Sequence, residues 1–187
     1  MELTHVTYQG KALDDKETFN ALPENLQKFL KQVNGLIAYD GGLHVRGCVK
    51  KPKWHSLHEV WKGAHSLSKN YKKIKEDDIP FAEDCVGDQF LLRGGKVIRL
   101  LSETGDIEKL NLTFNEFIKK IPKSPIKTLG LHPLLQFQKE GGKLKPGKLL
   151  NIYPPFCTKE SANGVSIKDI SAIERLDFLF HFSKQIS

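Results

Sequence analysis

Sulfur-containing and indole side chains are scarce in this chain of 187 residues, which has three cysteines, one methionine and two tryptophans. Cys48, Cys85 and Cys157 are far apart, which matches neither the paired spacing of a zinc site nor a disulfide framework. We therefore expect reduced thiols, as in cytoplasmic proteins. The first residues also lack the basic cluster and apolar segment of a secretory leader, which again predicts a cytoplasmic location.

Long apolar runs are missing as well. No segment approaches the roughly 20 consecutive apolar residues of a transmembrane helix, so we expect no membrane association. Hydrophobic residues make up 39% and charged residues 27% of the chain, which is typical of a folded globular protein. At this length, one domain, alone or with an extension, is the expected organisation.

Aromatic residues that could stack on bases are not interleaved with the most basic region. The net charge is +7, and the residues after Ile121 supply 10 basic and 5 acidic side chains, which is +5 of that total. The lysines concerned include Lys139, Lys143, Lys145 and Lys148. Since no helix-turn-helix or zinc-finger pattern accompanies them, nucleic-acid binding is not expected.

What the chain does concentrate is negative charge in one short segment. Its six carboxylates are Glu76, Asp77, Asp78, Glu83, Asp84 and Asp88. Pro80 and Gly87 lie among them, and this composition predicts a turn-forming loop that leads into an apolar hairpin. Such a gathering of acids in a basic protein is a candidate functional segment.

Two roles are open for this acidic segment. In the structural one, Phe81 and Phe90 anchor its ends in the core, while Asp84 and Asp88 accept hydrogen bonds from backbone amides of the turn. In the functional one, the carboxylates present a negative surface to a basic partner. We favour the structural role for Asp84 and Asp88 and expect the acids at positions 76, 77 and 83 to be exposed.

Helices are predicted where apolar residues recur at three- and four-residue steps. One begins at Pro23, which is suited to a first helical turn. A second is predicted to begin at Ser56 and to continue through basic residues as far as Lys75. Another begins at Thr113, where Glu116 three residues later completes a capping box.

The strands are predicted between these helices. Two β-prone runs, 89–93 and 96–101, are separated by Gly94-Gly95, and a two-residue glycine connection predicts a hairpin. A further run at 107–110 extends the hairpin to a three-stranded antiparallel meander. Because helices cluster before and after this group of strands, the pattern favours an α+β fold over a doubly wound one.

The order of these signals resembles the SUKH superfamily, specifically the fungal cell-wall-synthesis regulator family and its bacterial relatives. The resemblance covers roughly residues 20 to 121 and depends on short motifs whose order is specific. The motifs are Leu22-Pro23-Glu24, Asn34-Gly35, Gly42-Leu43, Trp61, Ile79 to Asp84, and Gly87-Asp88-Gln89-Phe90. The segment from Pro146 to Ser161, with Glu174-Arg175-Leu176, resembles an extension found in one bacterial subset.

The resemblance implies a single α+β domain with a mixed, largely antiparallel sheet flanked by helices. Residues 1–121 are then the SUKH-like domain, and residues 122–187 a C-terminal extension packed on the same domain. The superfamily is not known as an enzyme fold. Its bacterial members are inferred to be immunity proteins that neutralise toxins, often nucleases, and its fungal members act as regulatory interaction hubs.

We therefore predict a non-enzymatic binding protein, without a cofactor or a bound metal, that neutralises a bacterial toxin or effector by steric and electrostatic blockade. The candidate partner-binding residues are Glu76, Asp77, Asp78, Glu83 and Trp54. The candidate structural turn of the family motif is formed by Pro80, Phe81, Asp84, Gly87, Asp88 and Phe90.

The role of Trp54 depends on where the second helix begins. If the helix includes it, Trp54 and Trp61 lie seven residues apart on nearly the same face, and both pack in the core. If Trp54 precedes the helix, it is an exposed aromatic residue beside Lys50, Lys51 and Lys53. It would then be suited to anchoring a partner.

Two alternatives to an immunity protein remain open. One is a small hydrolase or metal-binding enzyme that uses the acids with His44, His55 or His58; on a continuous helix, His55, His58 and His65 would share one side. Against it, the glutamate of a zincin motif is misplaced, the acids lack EF-hand spacing, and no glycine elbow surrounds Cys157. The other is a regulatory scaffold that binds several partners.

Overall fold

Nine strands form within residues 3–186, the part of the chain that the computed structural model describes. They are β1 (Tyr8–Gln9), β2 (Leu36–Ala38), β3 (Leu43–Val45), β4 (Ile79–Asp84), β5 (Gln89–Arg93), β6 (Lys96–Leu101), β7 (Asp106–Lys109), β8 (Lys148–Tyr153) and β9 (Ser166–Ser171). The α-helices are α1 (Lys16–Asn20), α2 (Glu24–Gln32), α3 (Leu57–Trp61), α4 (Leu67–Asn70), α5 (Phe114–Lys120), α6 (Pro125–Leu129), α7 (His132–Lys139) and α8 (Ala172–Ile186). Short 3-10 segments lie at Tyr39–Gly41, Lys53–His55, Ile121–Lys123 and Lys159–Asn163.

The first seven strands form one sheet in which each strand pairs with the next along the chain, and these pairings are all antiparallel. β8 and β9 form a separate antiparallel pair. The predicted α+β class and the meander of β5, β6 and β7 are confirmed. Gly94 and Gly95 connect β5 to β6 with φ angles of 54° and 77°, which is the backbone that a tight hairpin turn requires.

Side chains alternate along β5 and β6, so the two faces of the sheet carry different clusters. On one face, Phe90 and Val97 belong to the main core with Phe29 of α2 and with Phe114 and Phe117 of α5. Edge-to-face ring contacts hold this side together, among them Phe29 with Phe114 at 5.4 Å between centroids.

The opposite face is covered by α8 and by the segment around α4. Leu91 and Ile98 of the sheet lie in a second cluster with Leu176 and Phe180 of α8. The Tyr71 ring meets Phe180 edge-on at 5.6 Å. The C-terminal helix therefore covers part of one face of the seven-stranded sheet.

Within the acidic segment interpreted as a loop, residues Ile79–Asp84 form the strand β4. β4 lies between β3 and β5 and pairs Glu83 with His44 on one side and with Gln89 on the other. Only residues 85–88 connect it to β5. The prediction of a longer loop was wrong. Acidic residues favour turns, but here the neighbouring strands supply partners for the buried carboxylates, and these partners are not visible in the local sequence.

The predicted helix from Ser56 to Lys75 is interrupted. The Ser56 side chain caps α3, but α3 ends at Trp61. The Ser66 hydroxyl donates to the Trp61 carbonyl at 2.8 Å, and α4 begins one residue later at Leu67. A side chain has taken the carbonyl that a continuous helix would use, which is how serine competes with helix propagation.

The other predicted helix starts are confirmed. α2 begins directly after Pro23, and Thr113 and Glu116 form the reciprocal capping box of α5. These ends depend on interactions within four residues, which is why the local sequence predicts them well.

The segment after residue 121 contributes to the same core. Leu129, Leu150 and Ile152 belong to the main cluster, and the Leu150 N–H donates to the Cys85 carbonyl at 2.8 Å.

Within residues 3–186, no helix combines the length and the apolar character needed to cross a membrane.

Candidate functional site

Glu83 lies at the centre of a buried ionic network. Its side chain is 1% exposed and is contacted by Arg46 Nη2 at 2.6 Å, Gln89 Nε2 at 3.1 Å and His44 Nδ1 at 2.8 Å. Burial favours the neutral form of a carboxylate, but the Arg46 guanidinium and the His44 contact outweigh it and hold the pKa of Glu83 below its ordinary value. Glu83 is therefore an ionised group enclosed by its partners.

Two stacked histidines connect Glu83 to the backbone. His44 Nε2 lies 2.8 Å from His55 Nδ1, and His55 Nε2 lies 3.1 Å from the Asn34 carbonyl oxygen. Burial lowers the pKa of His44 and lowers the pKa of His55 to about 3. Both imidazoles are therefore neutral at neutral pH.

The number of protons in this series of contacts restricts its tautomers. Three contacts join Glu83, His44, His55 and Asn34, whereas two neutral imidazoles carry only two protons. The ionised Glu83 accepts, so His44 carries its proton on Nδ1 and presents a lone pair on Nε2. The single His55 proton then serves one of two contacts, either His44 Nε2 at 2.8 Å from His55 Nδ1 or the Asn34 carbonyl at 3.1 Å from His55 Nε2.

Three glycines allow the backbone to approach His55 closely. A Cβ atom added at Gly10 or Gly35 would lie 2.6 Å from the His55 ring, and one at Gly47 would lie 2.8 Å from it. His55 is 0% and His44 5% exposed. The two imidazoles are thus enclosed by their neighbours.

Asp84 and Asp88 share one guanidinium in a second network. Arg99 Nη2 lies 2.6 Å from Asp84 Oδ2 and 3.0 Å from Asp88 Oδ2. Asp84 Oδ1 accepts the backbone N–H groups of residues 86, 87 and 88 at 3.0, 3.1 and 3.0 Å. Asp88 Oδ1 accepts the Ser102 N–H at 2.8 Å. Both carboxylates hold the turn after β4 in place.

This shared guanidinium has an electrostatic consequence. Burial, with the neighbouring Asp88 carboxylate as the second cause, raises the pKa of Asp84 to about 7 against the opposing effect of Arg99. Burial also raises the pKa of Asp88. Because one guanidinium balances only one of two carboxylates, the pair retains a proton to higher pH than an isolated aspartate.

The two phenylalanines of the family motif are fully buried. Phe81 and Phe90 are both 0% exposed. The Phe81 ring meets Phe114 edge-on at 5.2 Å, and Phe90 contacts Phe117 at 4.8 Å. They anchor the ends of the β4–β5 connection on α5, as the sequence leads one to expect.

The remaining motif residues also serve packing. Pro80 is buried in β4, and its carbonyl accepts from Arg46 Nη1 at 3.3 Å. Gly87 has φ of 97°, and a Cβ there would lie 2.9 Å from Leu179 of α8. A side chain at Gly87 would therefore be strained and would push against the C-terminal helix.

Only two of the four acids predicted to contact a partner are exposed, Glu76 and Asp77. Asp78 is 1% exposed and accepts from Arg93 Nε at 2.8 Å, and Glu83 is also 1% exposed. The expectation that Glu83 is exposed was wrong. Asp78 and Glu83 are each paired with an arginine distant in sequence, and this pairing offsets the cost of burying the carboxylate.

Trp54 lies in the Lys53–His55 segment, outside α3, but it is not a free anchor. Its side chain is half-buried. The distances between its ring centroid and those of Tyr8, His44 and His55 are 5.0, 5.4 and 5.4 Å. A Cβ at Gly147 would lie 2.9 Å from its Nε1 atom. Trp54 therefore covers the buried histidine pair, a role that neither alternative had foreseen.

The residues of the enzyme alternative are only partly brought together: Glu83, His44 and His55 lie in the buried network, whereas His58 Nδ1 lies 3.3 Å from the Thr18 hydroxyl. His65 Nδ1 contacts Glu59 Oε1 at 2.7 Å and lies apart from the buried pair, because α3 ends before it. Among residues 3–186, no three histidine, cysteine, aspartate or glutamate side chains are arranged to hold a metal ion. Partial burial, with Glu103 as the second cause, raises the pKa of Cys157, which disfavours the thiolate that a nucleophile needs.

The sequence analysis missed the arginines that complete both networks. Arg46 and Arg99 stand in apolar β-prone runs, and this was a usable signal, since a charged side chain in a buried strand needs an acid partner. Arg175 of α8 is 1% exposed and donates to the Val86 carbonyl at 3.1 Å and to Asn151 Oδ1 at 2.8 Å. It links the C-terminal segment to the turn of the family motif.

Comparison with known proteins identifies the family and the fold of the chain. Residues 16–120 match the model of the SMI1/KNR4 family (SUKH-1). Among solved structures, the crystal structure of Atu4351 from Agrobacterium tumefaciens is similar, with a TM-score of 0.58 and 12% sequence identity over 96% of this chain and 84% of that chain. At this identity the similarity shows the fold alone. No curated protein matches the chain.

Proposed function

The chain belongs to the SMI1/KNR4 family (SUKH-1), and we propose that it is a non-enzymatic protein-binding domain of the immunity type, which neutralises a bacterial toxin by covering the toxin's working surface. The observation that carries this proposal is the burial of the central polar residues. Glu83, Asp84, His44 and His55 are all paired inside the protein. A general acid or base has to reach its substrate, whereas these groups face one another.

Steric occlusion, more than attraction by the acidic segment, is the mechanism that this arrangement favours. Glu76 and Asp77 are exposed, but the exposed lysines Lys72, Lys73 and Lys75 precede them directly. The segment therefore presents a mixed surface with little net negative potential. The two exposed acids remain candidate contacts at the edge of an interface, where single charges affect association rates more than affinity.

The test is protection of cells from a toxin domain, with the product of the gene next to that of this chain as the first candidate. The two proteins are co-expressed at graded ratios, and the purified pair is titrated by calorimetry. A blocking protein acts in stoichiometric amounts, so we expect a defined complex and protection that saturates when the two proteins are equimolar. The ratio of the two proteins at which growth protection saturates must then equal the stoichiometry measured by calorimetry.

The same titration separates blockade from catalysis. An enzyme that inactivates the toxin would protect at amounts far below equimolar, because each molecule turns over many times. Protection at such low ratios would replace the binding proposal with the hydrolase alternative. Absence of both a complex and protection would remove the immunity role.

A further inference from the structure

An apolar groove lies between α2 and α5. It encloses about 460 Å³. Its floor consists of Phe29, Phe114 and Ile118, which are 7%, 1% and 8% exposed. The edge-to-face contact of Phe29 with Phe114, 5.4 Å between centroids, makes this floor rigid. A preformed apolar floor is a common feature of binding sites.

The rim of the groove carries charge of one sign. Lys28, Lys119 and Lys123 line it, and none of the residues lining it is acidic. Lys28 is exposed and contacts Glu24 at 2.7 Å. Lys119 and Lys123 form no salt bridge with another residue in the range 3–186. Two cationic groups are therefore available above an apolar floor.

The walls supply groups that suit a polypeptide. Asn25, Gln32 and Asn115 also line the groove, and each carries a side-chain amide. Each amide can both donate to and accept from a peptide backbone.

We propose that the α2–α5 groove binds an acidic, amphipathic segment of a protein partner. Apolar side chains of that segment lie on the floor, and its carboxylates face Lys119 and Lys123, as in other complexes where an amphipathic helix occupies a groove. The inference deepens the proposed function, since it rests on the protein being a binding domain and specifies the surface and the chemistry of what it binds.

The probe is a fluorescent amphipathic helical peptide of about 12 residues, with leucines on one face and glutamates on the other, which is long enough to span α2. Anisotropy is measured with the full chain. A peptide of the same composition in scrambled order tests amphipathicity, a lysine-for-glutamate peptide tests charge, and a single-stranded oligonucleotide tests nucleic acid. We expect only the first peptide to bind, and its affinity to fall as salt increases.

A matched pair of variants locates the site. Lys119→Glu with Lys123→Glu reverses the rim charge, and we expect it to weaken peptide binding at least about tenfold. The control double variant, Lys139→Glu with Lys143→Glu, makes the same change in net charge. These two lysines are exposed and have the same spacing; Lys139 ends α7 and Lys143 follows it, and both lie outside the groove. We expect this control to bind as the unmodified chain does. Shifts of the Asn25 and Asn115 side-chain amide signals on peptide addition give a second readout that needs no variant.

Several outcomes would overturn the inference: equal binding of the scrambled peptide, equal weakening by both variant pairs, competition by the oligonucleotide, or no binding of the amphipathic peptide. The toxin experiment is independent of these. If the double variant Lys119→Glu with Lys123→Glu still protects cells, the immunity role is kept and the groove is rejected. If the unmodified chain binds the peptide specifically but does not protect cells, the groove is kept and the immunity role is rejected.

Discussion

His44 Nε2 and His55 Nδ1 lie 2.8 Å apart, with the two rings stacked at 5.1 Å between centroids. The pair is enclosed by glycines on one side and by Trp54 on another. Since Glu83 is ionised and accepts at one end of this series of contacts, His44 carries its proton on Nδ1, and the shorter contact between the two rings favours the His55 proton on Nδ1 over Nε2, which lies 3.1 Å from the Asn34 carbonyl. A histidine pair that resembles catalytic machinery in sequence thus serves as an internal connection between β3, β4 and the Lys53–His55 segment.

We predict that both histidines are neutral Nδ1–H tautomers. Nitrogen NMR of histidine-labelled protein reports the protonation of each ring nitrogen. We expect one protonated and one bare nitrogen in each ring at pH 7, because burial lowers the pKa of His44 and lowers the pKa of His55 to about 3. A proton on His55 Nε2 with a bare Nδ1 would mean that His55 donates to the Asn34 carbonyl instead of to His44. Two protonated nitrogens on His44 would mean that a third proton is present and that His44 is an imidazolium.

The aspartate pair predicts a pH dependence of stability. The folded pKa of Asp84 is raised to about 7, above the roughly 3.9 of an unfolded chain. The stabilisation that comes from its bound proton is therefore complete below about pH 4 and is lost as the pH rises through about 7. Asp88→Asn removes the second carboxylate and should reduce that loss. Denaturant unfolding at pH 5 and pH 8 measures it, and an identical pH difference in the variant and the unmodified chain would argue against coupling of the two acids.

The acidic segment divides into structural and exposed members. Glu83→Lys removes the partner of Arg46 and places a second cation beside it, so we expect a loss of about 3 to 5 kcal/mol in the free energy of unfolding. Glu76→Lys and Asp77→Lys are matched charge reversals at exposed positions and should change it by less than about 0.5 kcal/mol. Chemical denaturation of the three variants compares them. A mild effect of Glu83→Lys would mean that the network relaxes and lets solvent in.

Phe81 is the apolar anchor of the motif. Its ring is 0% exposed and contacts both Phe114 and Phe117 edge-on. Phe81→Ala should therefore lower the free energy of unfolding by about 3 kcal/mol, from lost burial and the cavity that remains. Phe156→Ala, at a residue that is 48% exposed, is the control and should have little effect. Equal effects of the two changes would contradict this packing.

Elements that depend on neighbouring residues were predicted correctly, whereas the helix after Ser56 was not. The capping box at Thr113 and the glycine hairpin at Gly94 were predictable because both depend on neighbours within a few residues. The long helix after Ser56 was wrong because one serine hydroxyl, that of Ser66, competes for a backbone carbonyl. Helix periodicity alone cannot show such a competitor.

The chain's own sequence was sufficient for its α+β class, its family and the burial of Phe81 and Phe90, since periodicity, turn residues and motif order are local properties. The fate of its carboxylates was decided by tertiary structure. Whether an acid is a surface charge or a buried partner depends on the arginine that the fold brings to it. Arg46, Arg93 and Arg99 meet acids 37, 15 and 15 residues away in the chain. Electrostatic pairing over such separations exists only after the strands are in register, because it depends on distance in space.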